Sequence, residues 1–360
     1  MNTLTHARCT LPLPRLERGV WITAALAGLV VLATFAAAGT GAVELPPGRM
    51  LAILATRLGF DFSAHFSPGE AMLFLHLRLP RVALALAVGA GLAVCGAALQ
   101  GLFRNPLADP GLVGVSGGAA LGAGFAIVLG SLVAPAAFPA LRLWLLPIAA
   151  FAGGLAAALL VYRLGTRAGV SDIAAMLLAG IAINALAGAG IGAFSYFADD
   201  EQLRNLTFFT LGGLGAASWP LVALCAGVVA LVAAVFLRQA RALNALLLGE
   251  AEAAHLGVDV QAVKRRIFVG VAAAVGVLVA FTGMIGFVGL VVPHFARLLL
   301  GPDHHRVLPA SMLLGALLVV LADLAARILI VPAELPLGVV TATLGAPFFI
   351  WLLARQEREA

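Results

Sequence analysis

Gly114-Val115-Ser116-Gly117-Gly118 fits the G-x-S-x-G pattern, in which a serine is held on a sharp turn for nucleophilic attack. That elbow needs a strand before it, a helix after it, and His and acid partners. Here the string opens an apolar helix, so the enzymatic reading fails on context. The seven histidines form no ligand set. His304 and His305, after Pro302-Asp303, read as solvated side chains in a short loop, and His294 as a packed, hydrogen-bonded side chain on an apolar face. Cys9, Cys95 and Cys225 lie far apart without metal or redox spacing and read as packing residues. The one lysine, Lys264, stands outside any G-x-x-x-x-G-K-[ST] string, so no lysine is placed to reach nucleotide phosphates. This chain does not itself hydrolyse ATP. What remains is ion coupling. Asp323 sits four residues before Arg327, one helical turn along the same face, which suits a structural ion pair or a proton relay. An ion-coupled secondary transporter is therefore one class of function to weigh.

The elements that must carry these residues follow from composition. The chain has 360 residues, 62% hydrophobic and only 11% charged, with a mean hydropathy of +1.07. Ordinary globular domains are about 45–50% apolar and about 25% charged. A soluble enzyme, a nucleic-acid binder and a disordered protein are excluded. A membrane-spanning helix takes about 20 residues, and the apolar runs predict ten, at about 20–39, 79–103, 112–133, 143–163, 173–197, 219–237, 266–288, 290–300, 307–330 and 338–354. The eighth is short and is expected to continue from the Gly- and Pro-containing stretch before it. The polar start MNTLTHARCTLPLPRLERG leads into a full-length span, so it reads as retained and not as a cleaved signal. Ten spans put both termini on one side. With the termini cytoplasmic, fifteen of the 22 Lys+Arg fall inside, and Arg49, Arg57, Arg78, Arg81, Arg142, Arg204 and Arg327 fall outside. The positive-inside rule favours that orientation. Five spans per half would make the halves an inverted, pseudo-symmetric pair. Gly118–Gly122 and Gly188–Gly192 suit close helix contacts in lipid.

Four strings are unlike ordinary span filler. In Arg78-Leu79-Pro80-Arg81, two arginines flank a helix-starting proline at the outer end of the second span, against the positive-inside trend. In Gln100-Gly101-Leu102-Phe103-Arg104-Asn105-Pro106-Leu107-Ala108-Asp109-Pro110-Gly111, Pro106 stops that span and Asp109 caps the next helix, with Pro110 at its first position. The third, Leu248-Gly249-Glu250-Ala251-Glu252-Ala253-Ala254-His255-Leu256-Gly257, lies inside the only long cytoplasmic loop, 238–265. Helix formers dominate it, its acids sit near the positive helix end, and Gly257 is a natural terminator. It predicts a short stiff helix outside the membrane. The fourth is Gly286-Phe287-Val288-Gly289-Leu290-Val291-Val292-Pro293-His294, followed much later by Glu334-Leu335-Pro336-Leu337-Gly338 and its continuation to Phe349.

In order, spacing and identity these strings resemble the FecCD-type permeases, the membrane subunits of ATP-binding-cassette importers for haem, ferric siderophores and cobalamin. The resemblance runs from the second span to the C-terminus, and the outer segment 40–77 is longer than usual for that family. It implies an all-α polytopic membrane protein of about ten transmembrane helices. Residues 1–360 would form a single permease domain, working as a homodimer. Two ATPase subunits would lie below it and a periplasmic binding protein would deliver ligand from above. Besides these, the only surroundings implied are membrane lipid, with no nucleic acid. The chain would hold no cofactor, ATP and Mg being bound by the ATPase. The third string resembles the family's coupling helix, which carries over to Leu248, Gly249, Glu250, Ala253, Leu256 and Gly257. Arg78, Arg81 and Arg327 match arginines that pair with acidic residues of the binding protein. The outer segment 198–214 resembles haem permeases more than siderophore ones, and Phe194, Tyr196, Arg204, Phe208 and Phe209 would suit a flat apolar ring with carboxylates. Cobalamin and ferric siderophores remain open as substrates, since the C-terminal strings are also close to cobalamin permeases.

Overall fold

The computed structural model describes residues 15–41, 43–60, 66–133, 139–167, 170–330 and 333–359; Cys9 lies outside them. In chain order the helices are α1 (Arg15–Gly39), α2 (Pro47–Arg57), α3 (Pro68–Met72), α4 (Leu79–Phe103), α5 (Val115–Val133) and α6 (Pro139–Leu164). A two-stranded antiparallel hairpin follows, β1 (Thr166–Arg167) and β2 (Val170–Ser171). Then come α7 (Ile173–Phe197), α8 (Asp200–Leu211), α9 (Trp219–Arg238), α10 (Ala240–Leu246) and α11 (Glu250–His255). The chain closes with α12 (Val260–Thr282), α13 (Val288–Leu300), α14 (His304–Ile328) and α15 (Leu337–Glu359). Each of the ten expected spans is met by a helix: α1, α4, α5, α6, α7, α9, α12, α13, α14 and α15. Seven of the spans among the described residues are long and apolar enough to cross a membrane unaided, and α5, α13 and α15 contribute shorter apolar stretches. Helices are the natural answer in lipid, where each backbone N–H and C=O must find its partner within the protein.

α4 is the axis of the bundle, buried along nearly its whole length. It is flanked by α14, α13, α12 and α9, and glycine sets how closely the first two approach. A Cβ on Gly89 would stand 2.1 Å from the Gly315 carbonyl oxygen, and one on Gly96 would stand 1.9 Å from that of Gly289. α5 and α6 meet in the same way: a Cβ on Gly118 would lie 2.5 Å from the Gly153 oxygen, and one on Gly122 would lie 2.1 Å from that of Ala149. The Gly118–Gly122 pair thus makes the contact its spacing suggests. Gly188 and Gly192 instead face open space.

Two expectations change. Spans seven and eight are not continuous. α12 ends at Thr282, Gly283 and Phe287 take positive φ of 67° each, and the backbone between them is drawn into other bonds. Gly213 donates its N–H to the Thr282 carbonyl and Met284 donates to that of Phe209, so a helix cannot pass. Asp109 caps a single 3-10 turn, Pro110–Val113, by accepting from Gly111 N–H at 2.7 Å, and α5 starts only after Gly114 at φ 84°. α4 itself ends on Arg104 in the left-handed region, with Asn105 N–H returning to the Gln100 carbonyl.

Candidate functional site

The segment between α9 and α12 folds as two short helices, α10 and α11. Gly249 (φ 130°) and Gly257 (φ 82°) bound α11, conformations that side chains rarely adopt. Ala253 is fully buried against the rest of the chain, whereas Leu248 and Leu256 are exposed by 67% and 66%. Leu247 is exposed as well, so three leucines stand open on a segment too short to span. Glu250, at the first turn of α11, accepts from Lys264 Nζ at 2.8 Å. Of the six residues the sequence singled out, the two leucines thus face outward and Ala253 seats the helix.

The nearby N-terminus of α14 corrects one expectation. His305 is exposed, but His304 is buried, not solvated. Asn244 of α10 explains this, since its Oδ1 accepts from the His304 backbone N–H at 2.8 Å and lies 2.9 Å from the ring Nδ1. The Asn244 amide donates to Asp303, the α14 cap, at 2.6 Å. The Asp303 carboxyl is held below the usual range: burial opposes this, and the bonds from Asn244 and the His305 N–H outweigh it. Close by, buried Gln100 donates to the carbonyls of Gly289 and Leu290 and accepts from Arg297.

At the opposite end of α14 and α4 the charged residues gather. Asp323, 2% exposed, takes Arg81 Nη2 at 2.9 Å and Arg327 Nε at 3.1 Å. The ion pair expected within α14 is present, and it is half of a larger set. Arg81 also bonds both oxygens of half-exposed Glu334, at 3.1 and 2.8 Å. Arg327 donates to the carbonyls of Ala37 and Thr40. Arg78, buried, donates to those of Ala38, Gly39 and Val43 at the end of α1. Local structure turns it there: the residues before Pro80 open into a π-helical stretch, Leu73–Arg78. The three outer arginines are thus brought together around a cleft of about 320 Å³.

The aromatic segment is divided. Phe208 and Phe209 of α8 line a cleft of about 720 Å³ with Phe281, Asp199 and Asn205, between α5, α6, α8 and α12. Phe194 packs over Gly124. Tyr196 is exposed and makes an edge contact with Phe197, and Arg204 is exposed. Neither lines the cleft. Among the described residues no three His, Cys, Asp or Glu side chains are grouped to hold a metal. Cys95 and Cys225 are both buried. His294 lies beside Phe348, its Nε2 without a hydrogen-bond partner.

Comparison with known proteins decides what this arrangement belongs to. The family model for the FecCD transport family matches residues 29–355. The chain belongs to the FecCD transport family. It is 45% identical over 308 residues to the hemin transport system permease protein HmuU of Yersinia pestis, covering 85% of this chain and 90% of that one. It is 45% identical over 297 residues to the vitamin B12 import system permease protein BtuC of Vibrio cholerae, 82% and 86% of the two chains. A solved structure described as an inward-facing conformation of a metal-chelate type ABC transporter superposes with a TM-score of 0.80 at 30% identity, covering 93% of this chain and 99% of the other. This FecCD permease is the transport subunit of an ABC importer, a multi-pass all-α membrane protein without a catalytic domain. Such a subunit works with ATPase and binding-protein partners. The secondary-transporter class is set aside by this membership.

Proposed function

We propose that this permease carries haem from the periplasm to the cytoplasm. The observation that carries the reading is its 45% identity to a hemin permease across nine-tenths of that protein's length. The aromatic wall of Phe208, Phe209 and Phe281 supports it, since a flat apolar ring gains by burial against such faces. Phe194, Tyr196 and Arg204 complete the proposed pathway only from its margins. The test is growth of a strain lacking this subunit on haem, a ferric siderophore or limiting cobalamin. Loss on haem alone, restored by the intact gene, supports the reading. Normal growth on haem in a strain without a second haem importer overturns it, and cobalamin, carried by the vitamin B12 relatives, is then the substrate to examine.

The assembly we propose is two copies of this chain, two ATPase subunits and a periplasmic binding protein, in the bacterial inner membrane with both termini cytoplasmic. The chain is one permease domain with its coupling segment in 238–265. Leu248 and Leu256 meet the ATPase, Gly249 and Gly257 set the ends of α11, Ala253 seats it and Glu250 ties it back. ATP and Mg belong to the ATPase, and this chain holds no cofactor. The open face of α7 at Gly188 and Gly192 suits a second copy, because small residues let helices approach in lipid. Arg78, Arg81 and Arg327 dock the binding protein. Three arginines against Asp323 and Glu334 leave one positive charge in excess at that cleft, which would steer an acidic partner.

A further inference from the structure

The α10–α11 unit is fastened to the membrane helices by two polar side chains, at separate places. Asn244 holds it to α14: one amide bonds the His304 backbone, the His304 ring and the Asp303 cap carboxylate. The His304 ring is in turn pressed on α4, for a Cβ on Gly101 would stand 2.3 Å from its Nε2. Lys264 is the second fastening. Its side chain is only 4% exposed and donates to the Glu250 carboxylate and to the Ser171 carbonyl, each at 2.8 Å. Gln261, one turn earlier on α12, accepts from the Ser171 N–H at 3.0 Å. Lys264 thus gathers α11, α12 and the hairpin joining α6 to α7. A buried ammonium is costly unless its donors are met, so the one lysine of the chain holds this junction strongly.

We propose that Asn244 and Lys264 are the positioning residues that convert movement of the ATPase-contact segment into movement of α14 and of α12, respectively. This rests on the reading of 248–257 as that segment. Exposed leucines receive the push, but α11 is too short to carry it, and packing of apolar side chains alone would let it slide. The polar fastenings direct it. From His304, α14 continues as one helix past Pro309 to Asp323, whose partner Arg81 heads α4. α12 runs from Lys264 to Thr282, where the Gly213 N–H joins it to the segment after α8, beside the aromatic cleft.

The test uses the full importer, with its ATPase and binding protein, in proteoliposomes, and reads substrate internalised per ATP hydrolysed, with hemin and cyanocobalamin as the probes. Asn244→Ala and Lys264→Met should each lower that ratio about fivefold or more while the ATPase still co-purifies with the permease. The double variant should fall further than either, because the two fastenings act on different helices. A merely structural role would lower the thermal midpoint and leave the ratio unchanged, and that result overturns the proposal. Where either variant does not insert, Asn244→Ser and Lys264→Gln keep a polar group but are too short to reach the same partners, and a wild-type ratio in both overturns it equally. Leu248→Asp with Leu256→Asp distinguishes the underlying reading. If that variant still co-purifies with the ATPase at full yield, the contact segment is misassigned. If it loses the ATPase while Asn244→Ala and Lys264→Met transport normally, only the present proposal fails.

Discussion

Asp323 and Arg81, 242 residues apart in the chain, are joined by an ion pair of 2.9 Å at the end of the α4–α14 contact. The carboxylate is shared with Arg327 one turn along its own helix. A single buried anion is therefore shared by guanidinium groups from both helices. Removing it would leave two arginines facing one another away from water. Breaking a buried ion pair by deleting one partner costs about 3–5 kcal/mol. Asp323→Ala should lower the thermal unfolding midpoint of the detergent-purified protein strongly, and Asp323→Glu much less.

The glycine contacts make a sharper demand. Gly89→Ala would set a Cβ 2.1 Å from a backbone oxygen that cannot turn aside. Helix separation must follow, exposing Arg81 and Asp323 at the end of the same interface. The expected outcome is loss of monodisperse protein by size-exclusion chromatography. Gly188→Ala, where the added methyl meets nothing within 4 Å of this chain, should elute normally as a fold, and any effect should appear in the oligomeric state.

Docking should be electrostatic and partly screened. Arg81→Glu reverses the most accessible of the three arginines and places a carboxylate beside both Asp323 and Glu334, so the unfolding midpoint falls as well and docking is read on protein that still elutes as one species. Association of the binding protein should slow by an order of magnitude or more, with dissociation less affected, as for steering charges. Surface-immobilised permease in nanodiscs gives both rates, and raising salt should narrow the difference. Arg78→Glu is a different experiment, because Arg78 caps three carbonyls of the α1 end; it should destabilise the chain before it alters docking.

Asp109 carries a pH dependence of known sign. Burial lifts its carboxyl above the usual aspartate range, while the Gly111 N–H pulls the other way. A carboxyl with a raised folded value binds its proton more tightly in the native state, so stability is greatest in acid and declines as pH rises through that value. Asp109→Asn keeps an acceptor for Gly111 and removes the half-buried charge. It should be at least as stable as the parent at pH 7 and should flatten this part of the profile in thermal unfolding measured from pH 4 to 8.

The long apolar runs made nearly every span legible, because lipid leaves so few alternatives to a helix. α2 and α8 carry too little apolar character to stand out by hydropathy. The starts of α3 and α8 were nonetheless written: Ser67 with Glu70, and Asp199 with Gln202, form capping boxes there. The break between α12 and α13 was hidden because its cause lies elsewhere, in Gly213 and Phe209 bonding to the chain there. At the arginine end, the i,i+4 spacing disclosed Asp323 with Arg327, but nothing local could disclose Arg81. Asn244 was missed altogether. A lone asparagine in a loop carries no pattern, and its role exists only once α10 is set against α14.

The backbone contacts at Gly89, Gly96, Gly118, Gly122, Gly153 and Gly315 also constrain how this gene can change. Every single-nucleotide substitution that alters a glycine codon specifies a residue with a Cβ or a stop. At these positions no small step leads to a milder neighbour, so drift must stall there while the lipid-facing surface stays free to exchange one apolar side chain for another. Change in descendants of this permease is thus left to the cleft-lining side chains and the loops, upon helix pairs whose separation is held fixed.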